Sequence, residues 1–135
     1  MAPSQDLVLH VSLRHITPAI WRRLLLPREY TLTQLHRTLQ LVFAWQECHL
    51  HEFEIGERRF EAPRLPFLLG GERASPPEDS GGPGGFEALV KGLASPRTRA
   101  GREFREWVGP DYDPSRFDAW QVGRMLTLAA AYGAI

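Results

Sequence analysis

Between residues 30 and 55 the apolar period of this chain switches from 3.6 to 2, so one core must take a helix and then an extended segment. Thr31 and Gln34 have the spacing of a capping box, in which two side chains satisfy backbone donors left open by a first helical turn. Beyond them Leu32, Leu35, Leu39, Val42 and Phe43 fall on one helical arc, with Thr38 and Leu41 off it and His36 at its edge. After Trp45, His49, His51, Phe53 and Ile55 share one face of an extended segment, and Cys48, Leu50, Glu52 and Glu54 share the other. Burying Phe53 and Ile55 draws both histidines inward, which places two side chains that titrate near neutrality at one spot.

The flanks complete an α+β pattern. Leu7, Leu9, Val11 and Leu13 alternate with polar neighbours, and Ile20, Arg22, Leu24 and Leu26 alternate with Trp21, Arg23 and Leu25 before Pro27 ends the run. Gly56 and Glu57 suggest a turn into a return strand over residues 58–61. The expected fold is an antiparallel or mixed sheet of about four N-terminal strands with one inserted helix, packed against C-terminal helices. Its parts are a strand-strand-helix-hairpin unit over residues 1–61, a Pro/Gly loop over 62–85 and a helical part over 86–135, all in one domain.

In the helical part Phe86, Leu89, Val90 and Leu93 form a first stripe. Ser95 and Pro96 read as the cap and first residue of a second helix, whose Ala100, Phe104, Trp107 and Val108 face inward before Gly109 and Pro110 stop it. Asp118 and Gln121 are a further cap-like pair, followed by Val122, Met125, Leu126 and Ala129.

Composition excludes more than it selects. Sixteen basic and sixteen acidic residues cancel, so no global field draws in nucleic acid or an anionic membrane. One cysteine, Cys48, permits neither an internal disulfide nor a thiolate-cluster metal site, and fits a reducing compartment. No apolar run approaches the roughly 20 residues of a membrane helix, and residues 1–6 lack the pattern of a secretory leader, so a cytoplasmic protein is expected.

Two histidines two apart on a strand can both reach one divalent ion, with His36, Glu78 or Asp79 as further ligands, yet histidines facing an apolar layer are more often hydrogen-bonded core members. No cofactor is therefore expected, and His49 with His51 is the place for a metal if one binds. Trp21, Arg22 and Arg23 form a cluster able to stack or to fork onto an anion, although strand packing with solvated charges is the more usual account of such a cluster. Residues 75–85 read by composition as a flexible linker; prolines around an acidic pair, followed by glycines, also suit a rigid loop presenting Glu78 and Asp79. Neither a nucleophile elbow nor a phosphate loop is present.

Several of these blocks resemble one family, the Ri-plasmid open-reading-frame-three-like proteins, some of which are insertion-element passengers labelled as resolvases. The similarity rests on Ile20, Trp21, Arg22, Arg23 and Pro27; on Leu35 and His36; on Trp45 with His49, Leu50, His51 and Phe53; on Pro76, Pro77, Glu78, Asp79, Gly81 and Gly82; and on Trp107, Asp113, Pro114, Phe117 and Asp118. The resemblance implies an α+β domain without an assigned activity and an ordered Pro-Pro-Glu-Asp loop near the histidine segment. It also exposes two departures: a stretch present in such proteins is missing between Pro63 and Gly70, and Ser75 and Ser80 stand where cysteines often flank the loop.

Two functions follow as expectations. The first is a binding or accessory domain of a mobile element, using Trp21, Arg22, Arg23, His36, His49, His51, Glu78 and Asp79 toward a protein or nucleic-acid partner, with homodimerisation through exposed sheet edges. The second is a metal-dependent, hydrolase-type enzyme with His49 and His51 as ligands.

Overall fold

A computed structural model describes residues 6–47, 51, 53 and 66–135. Its first strand, β1 (Leu7–Ser12), runs antiparallel to β2 (Trp21–Leu26), with Leu7 opposite Leu26 and Ser12 opposite Trp21. Helix α1 (Leu32–Val42) follows, then β3 (Phe67–Glu72), which pairs antiparallel with the other edge of β2. Three helices close the chain: α2 (Gly82–Leu93), α3 (Arg99–Val108) and α4 (Ala119–Ala131). α2 packs on α3, while α4 packs on both β3 and α1.

The α+β class is therefore as expected, but the described residues contain three strands rather than about four, in the order β1-β2-β3. The strand that completes the sheet lies inside the stretch read as a Pro/Gly loop. Two glycines masked it, and at Gly71 the reason is steric. A Cβ on Gly71 would meet Phe117 Cε1 at 2.6 Å and Arg22 Cδ at 2.9 Å, while Gly70 lies under the Trp21 ring. Leu69 is the extra residue of a bulge, since Arg23 pairs with Gly70 and Leu24 with Leu68. Of the expected histidine strand and its return hairpin, residues 48–50, 52 and 54–61 fall outside the described residues; His51 and Phe53 are described and belong to no strand.

Alternation in β2 organises the core. Arg22, Leu24 and Leu26 are buried on one face, whereas Arg23 is exposed on the other. Ile20, Leu24 and Leu26 join Val42 and Phe43 from the end of α1, Phe86 and Leu89 from α2, and Leu126 from α4. Each such side chain contributes about 1.5–3 kcal/mol of apolar burial.

Helix boundaries follow side-chain capping. Thr31 and Gln34 form the capping box of α1 as expected, and Asp118 accepts from the Gln121 N–H at the start of α4. The inward face of α1 differs from its apolar stripe: Thr38 is fully buried while Leu32 is 48% exposed. Thr38 is accommodated because its hydroxyl pairs with that of Tyr30. The second C-terminal helix starts at Thr98, not at Ser95-Pro96, because Thr98 Oγ1 accepts from the Gly101 N–H while its own N–H is held by the Ser95 carbonyl. On α3, Phe104 and Val108 pack against the core, but Ala100 and Trp107 are exposed. α4 buries Leu126 and Ala130 and leaves Met125 exposed.

Candidate functional site

The site is built around Arg22. Its strand position points it into the core, where a cation needs every donor answered. Nε donates to the Val42 carbonyl at 2.7 Å, Nη1 to the carbonyls of Trp21 and Glu72 at 2.8 and 3.1 Å, and Nη2 to Ser75 Oγ at 3.1 Å. The guanidinium lies between the rings of Phe43 and Phe117, 4.8 and 3.9 Å from their centroids. Burial pulls its pKa from 12.5 down to about 10, so the group stays charged at neutral pH.

From this cation the loop after β3 is held at Ala74, Ser75, Pro76 and Glu78. The Ala74 N–H donates to the Pro114 carbonyl at 3.2 Å, and the Tyr112 hydroxyl donates to the Ser75 carbonyl at 2.9 Å. Trp45, stacked on Phe43, donates its indole N–H to the Pro76 carbonyl at 3.4 Å. Glu78 Oε1 accepts the Gln46 N–H at 2.8 Å. Pro77 and Ser80 close the turn, with Asp79 at φ 58° and Gly81 at φ 87°. The serine at position 75 fits this arrangement because a neutral hydroxyl accepts from a guanidinium and leaves the cation's charge intact.

Pro76, Pro77 and Glu78 form a wall shared by two cavities. One, of about 660 Å³, lies toward Arg22, Trp107, Tyr112 and Phe117. The other, of about 690 Å³, lies toward Leu13, Gln40, Trp45 and His51. Hydrogen bonds from Ser115 hold the Asp113 carboxyl, on the rim of the first cavity, below the usual range. Burial pushes the Tyr112 hydroxyl up to about 12, so it remains a donor.

The residues singled out in the sequence divide accordingly. Arg22 and Glu78 meet at the first cavity, and Glu78, Asp79 and His51 at the second. Trp21 lies half-buried on the opposite face of the sheet, stacked on His10 at 5.1 Å between centroids, and Arg23 is exposed there. Neither lines the two cavities. His36 is buried and stacks on His51 with centroids 3.5 Å apart and planes 10° from parallel. His36 Nε2 approaches Glu47 Oε1 at 3.1 Å without the alignment of a hydrogen bond. His51 itself is exposed rather than turned into the core, and His49 lies outside the described residues. Among the described residues no three His, Cys, Asp or Glu side chains converge to hold a metal ion.

Phe43 and Tyr112 belong to the site although no motif marked them, and Ser75, noted in the sequence only as standing where a cysteine often flanks the loop, accepts from Arg22 Nη2. Tyr112 offered one signal, an aromatic residue in a connection bounded by Pro110 and Pro114, where a solvent-exposed link does not require one.

Known proteins share this architecture. Protein MM3350 of Methanosarcina mazei Go1, solved as a protein of unknown function, superposes with a TM-score of 0.75 at 27% identity, covering 84% of this chain and 95% of that one. The uncharacterized protein y4hQ of Sinorhizobium fredii (strain NBRC 101917 / NGR234) is 26% identical over 177 positions, covering 91% of each chain. That alignment is longer than the 135 residues here, so the relative carries insertions. A family model matches residues 5–64 and 57–121. No helix among the described residues is long and apolar enough to cross a membrane. With the match extending over most of its length, the chain belongs to the plasmid pRiA4b ORF-3-like protein family.

Proposed function

We propose that this chain is a non-catalytic binding module, accessory to a mobile element, that grips a segment of a partner protein across residues 75–80. The carrying observation is the braced loop: Ser75 is tied to Tyr112, and Pro76 and Glu78 to the adjacent Trp45 and Gln46, yet the wall they build has a cavity on either side. A rigid ridge between two hollows meets a partner with little ordering cost. Glu78, Asp111, Asp113 and Asp118 outnumber Arg22 and Arg116 around the first cavity, which favours a polypeptide over a phosphate backbone. The plasmid in the family's description supports the mobile-element setting.

Titrating ¹⁵N-labelled protein with a peptide library pool and with DNA and RNA oligonucleotides at 150 mM salt tests this. Saturable shifts at Ser75, Glu78 and Tyr112 with peptides, weakened in Pro77→Gly, are expected. Shifts produced only by oligonucleotides, or by nothing in the panel, overturn it.

A second reading, the metal-dependent hydrolase, is favoured by His51, Glu78 and Asp79 lining one cavity. In it His49 and His51 are ligands and Glu78 or Asp79 a ligand or base. Elemental analysis of protein purified without a nickel column decides: near-stoichiometric zinc or manganese supports it, and below about 0.1 equivalent removes it, because a specific site fills near stoichiometry.

A further inference from the structure

Away from the braced loop, a third cavity of about 560 Å³ opens between the β1–β2 turn and α2. Its lining includes Ile16, Ile20, Phe86 and Val90, of which Ile20 is 1% and Phe86 7% exposed. The polar members are unequal. Lys91 is committed to Glu87, Nζ to Oε1 2.6 Å, whereas half-buried Arg73 has no hydrogen bond or ion pair among the described residues.

Arg73 is placed there at a conformational cost. Its φ is +64°, in the left-handed region that bulky residues rarely adopt, and His15 across the same cavity has φ +61°. The neighbours impose this: Glu72 is held in the ladder opposite Trp21, and the Ala74 N–H is held by the Pro114 carbonyl. Between those fixed points the chain turns sharply and carries Arg73 to the cavity instead of to open water. An unpartnered guanidinium over an apolar floor, held by a strained backbone, is a residue in search of an anion.

We propose that this cavity binds a small amphiphilic monocarboxylate, its acid group on Arg73 and its alkyl or aryl body on Ile16, Phe86 and Val90. One free guanidinium beside a carboxylate already paired with lysine matches a single negative charge better than a doubly charged phosphate. The volume lies within the range of small-molecule sites.

The test titrates the full chain with sodium decanoate, decanol and sodium acetate, below micellar concentrations, by calorimetry and ¹⁵N shifts. Decanoate should saturate with shifts centred on Ile16, Arg73, Phe86 and Val90, and bind at least tenfold tighter than decanol or acetate. Arg73→Gly, which suits the positive φ, should keep the fold and weaken decanoate at least tenfold; if that variant unfolds, Arg73→Gln must show the same weakening. Equal affinities for decanoate and decanol, equal affinities for decanoate and acetate, an unaffected folded variant, or no decanoate binding each overturn the proposal.

Discussion

Arg22 Nε donates to the Val42 carbonyl at 2.7 Å and so caps α1 from a strand twenty residues earlier. The last turn of α1 contains no basic residue, and its final carbonyls need donors. Arg22 supplies one hydrogen bond and positive charge at that end. Arg22→Met should therefore cost roughly 2–4 kcal/mol, because it strands the buried carbonyl of Val42 and the part-buried one of Glu72. Arg22→Lys should recover little of this, since an ammonium cannot fork among four acceptors in different directions. Urea unfolding with an unchanged m-value measures the loss; under 1 kcal/mol for either variant contradicts the account.

Tyr112 gives a pH-dependent prediction. Its hydroxyl is pushed from 10 to about 12, first by burial and then by the charge of Asp113. The folded state therefore holds this proton more tightly than the unfolded chain does. Its stabilising contribution is complete below pH 10 and is lost as pH rises from 10 to 12. Arg22 acts in the opposite sense over the same alkaline range, because burial disfavours its charged form. Comparison with Tyr112→Phe isolates the tyrosine: the variant should lose about 0.5–1.5 kcal/mol at pH 7 with the Ser75 bond. Its disadvantage should shrink toward pH 12. A tyrosinate absorbance titration should lose its latest component in the variant.

Two glycines should respond with opposite sign to the same methyl group. Gly71→Ala drives a Cβ into Phe117 and Arg22 Cδ, disturbing the ring that covers the guanidinium, and should cost about 1–3 kcal/mol. Gly123 lies inside α4 with nothing within 4 Å of an added Cβ. Gly123→Ala should stabilise by about 0.5–1 kcal/mol through helix propensity alone. Thermal melts of both variants check this, and a stabilised Gly71→Ala would remove the steric reading of β3.

How much of this was legible depended on the range of the interaction. The capping box at Thr31 and Gln34, the alternation along β2 and the cap at Asp118 are local, and each is found where its spacing places it. β3 was hidden by two glycines, of which Gly71 answers to Arg22 and Phe117, residues far away in sequence. Arg22 stood out as a cluster member, but its burial depends on acceptors at Val42, Glu72 and Ser75 that no short window contains. Trp21 and Arg23 were grouped with it by adjacency, although a strand sends neighbours to opposite faces. The order of the loop at residues 75–80 came through resemblance; its physical cause, Tyr112 and Trp45 reaching in from either side, required the fold.

The start of α3 offers a last discrimination, because two cap signals lie three residues apart. Ser95-Pro96 has the composition of a cap and first residue, yet the helix begins at Arg99 under Thr98. The reason lies at Gly101, whose missing side chain lets the Ser95 carbonyl approach so closely that a Cβ would sit 2.2 Å from it. That carbonyl accepts from both the N–H and the hydroxyl of Thr98, folding residues 95–98 into a turn that precedes the helix. Thr98 Oγ1 then receives the Gly101 N–H at 3.0 Å. Thr98→Ala should consequently cost about 1 kcal/mol, the usual effect of losing a cap, while Ser95→Ala should change stability by less than about 0.5 kcal/mol. Chemical denaturation of the two variants separates the cases, and a larger loss at Ser95 than at Thr98 would return the helix start to the position its composition suggests.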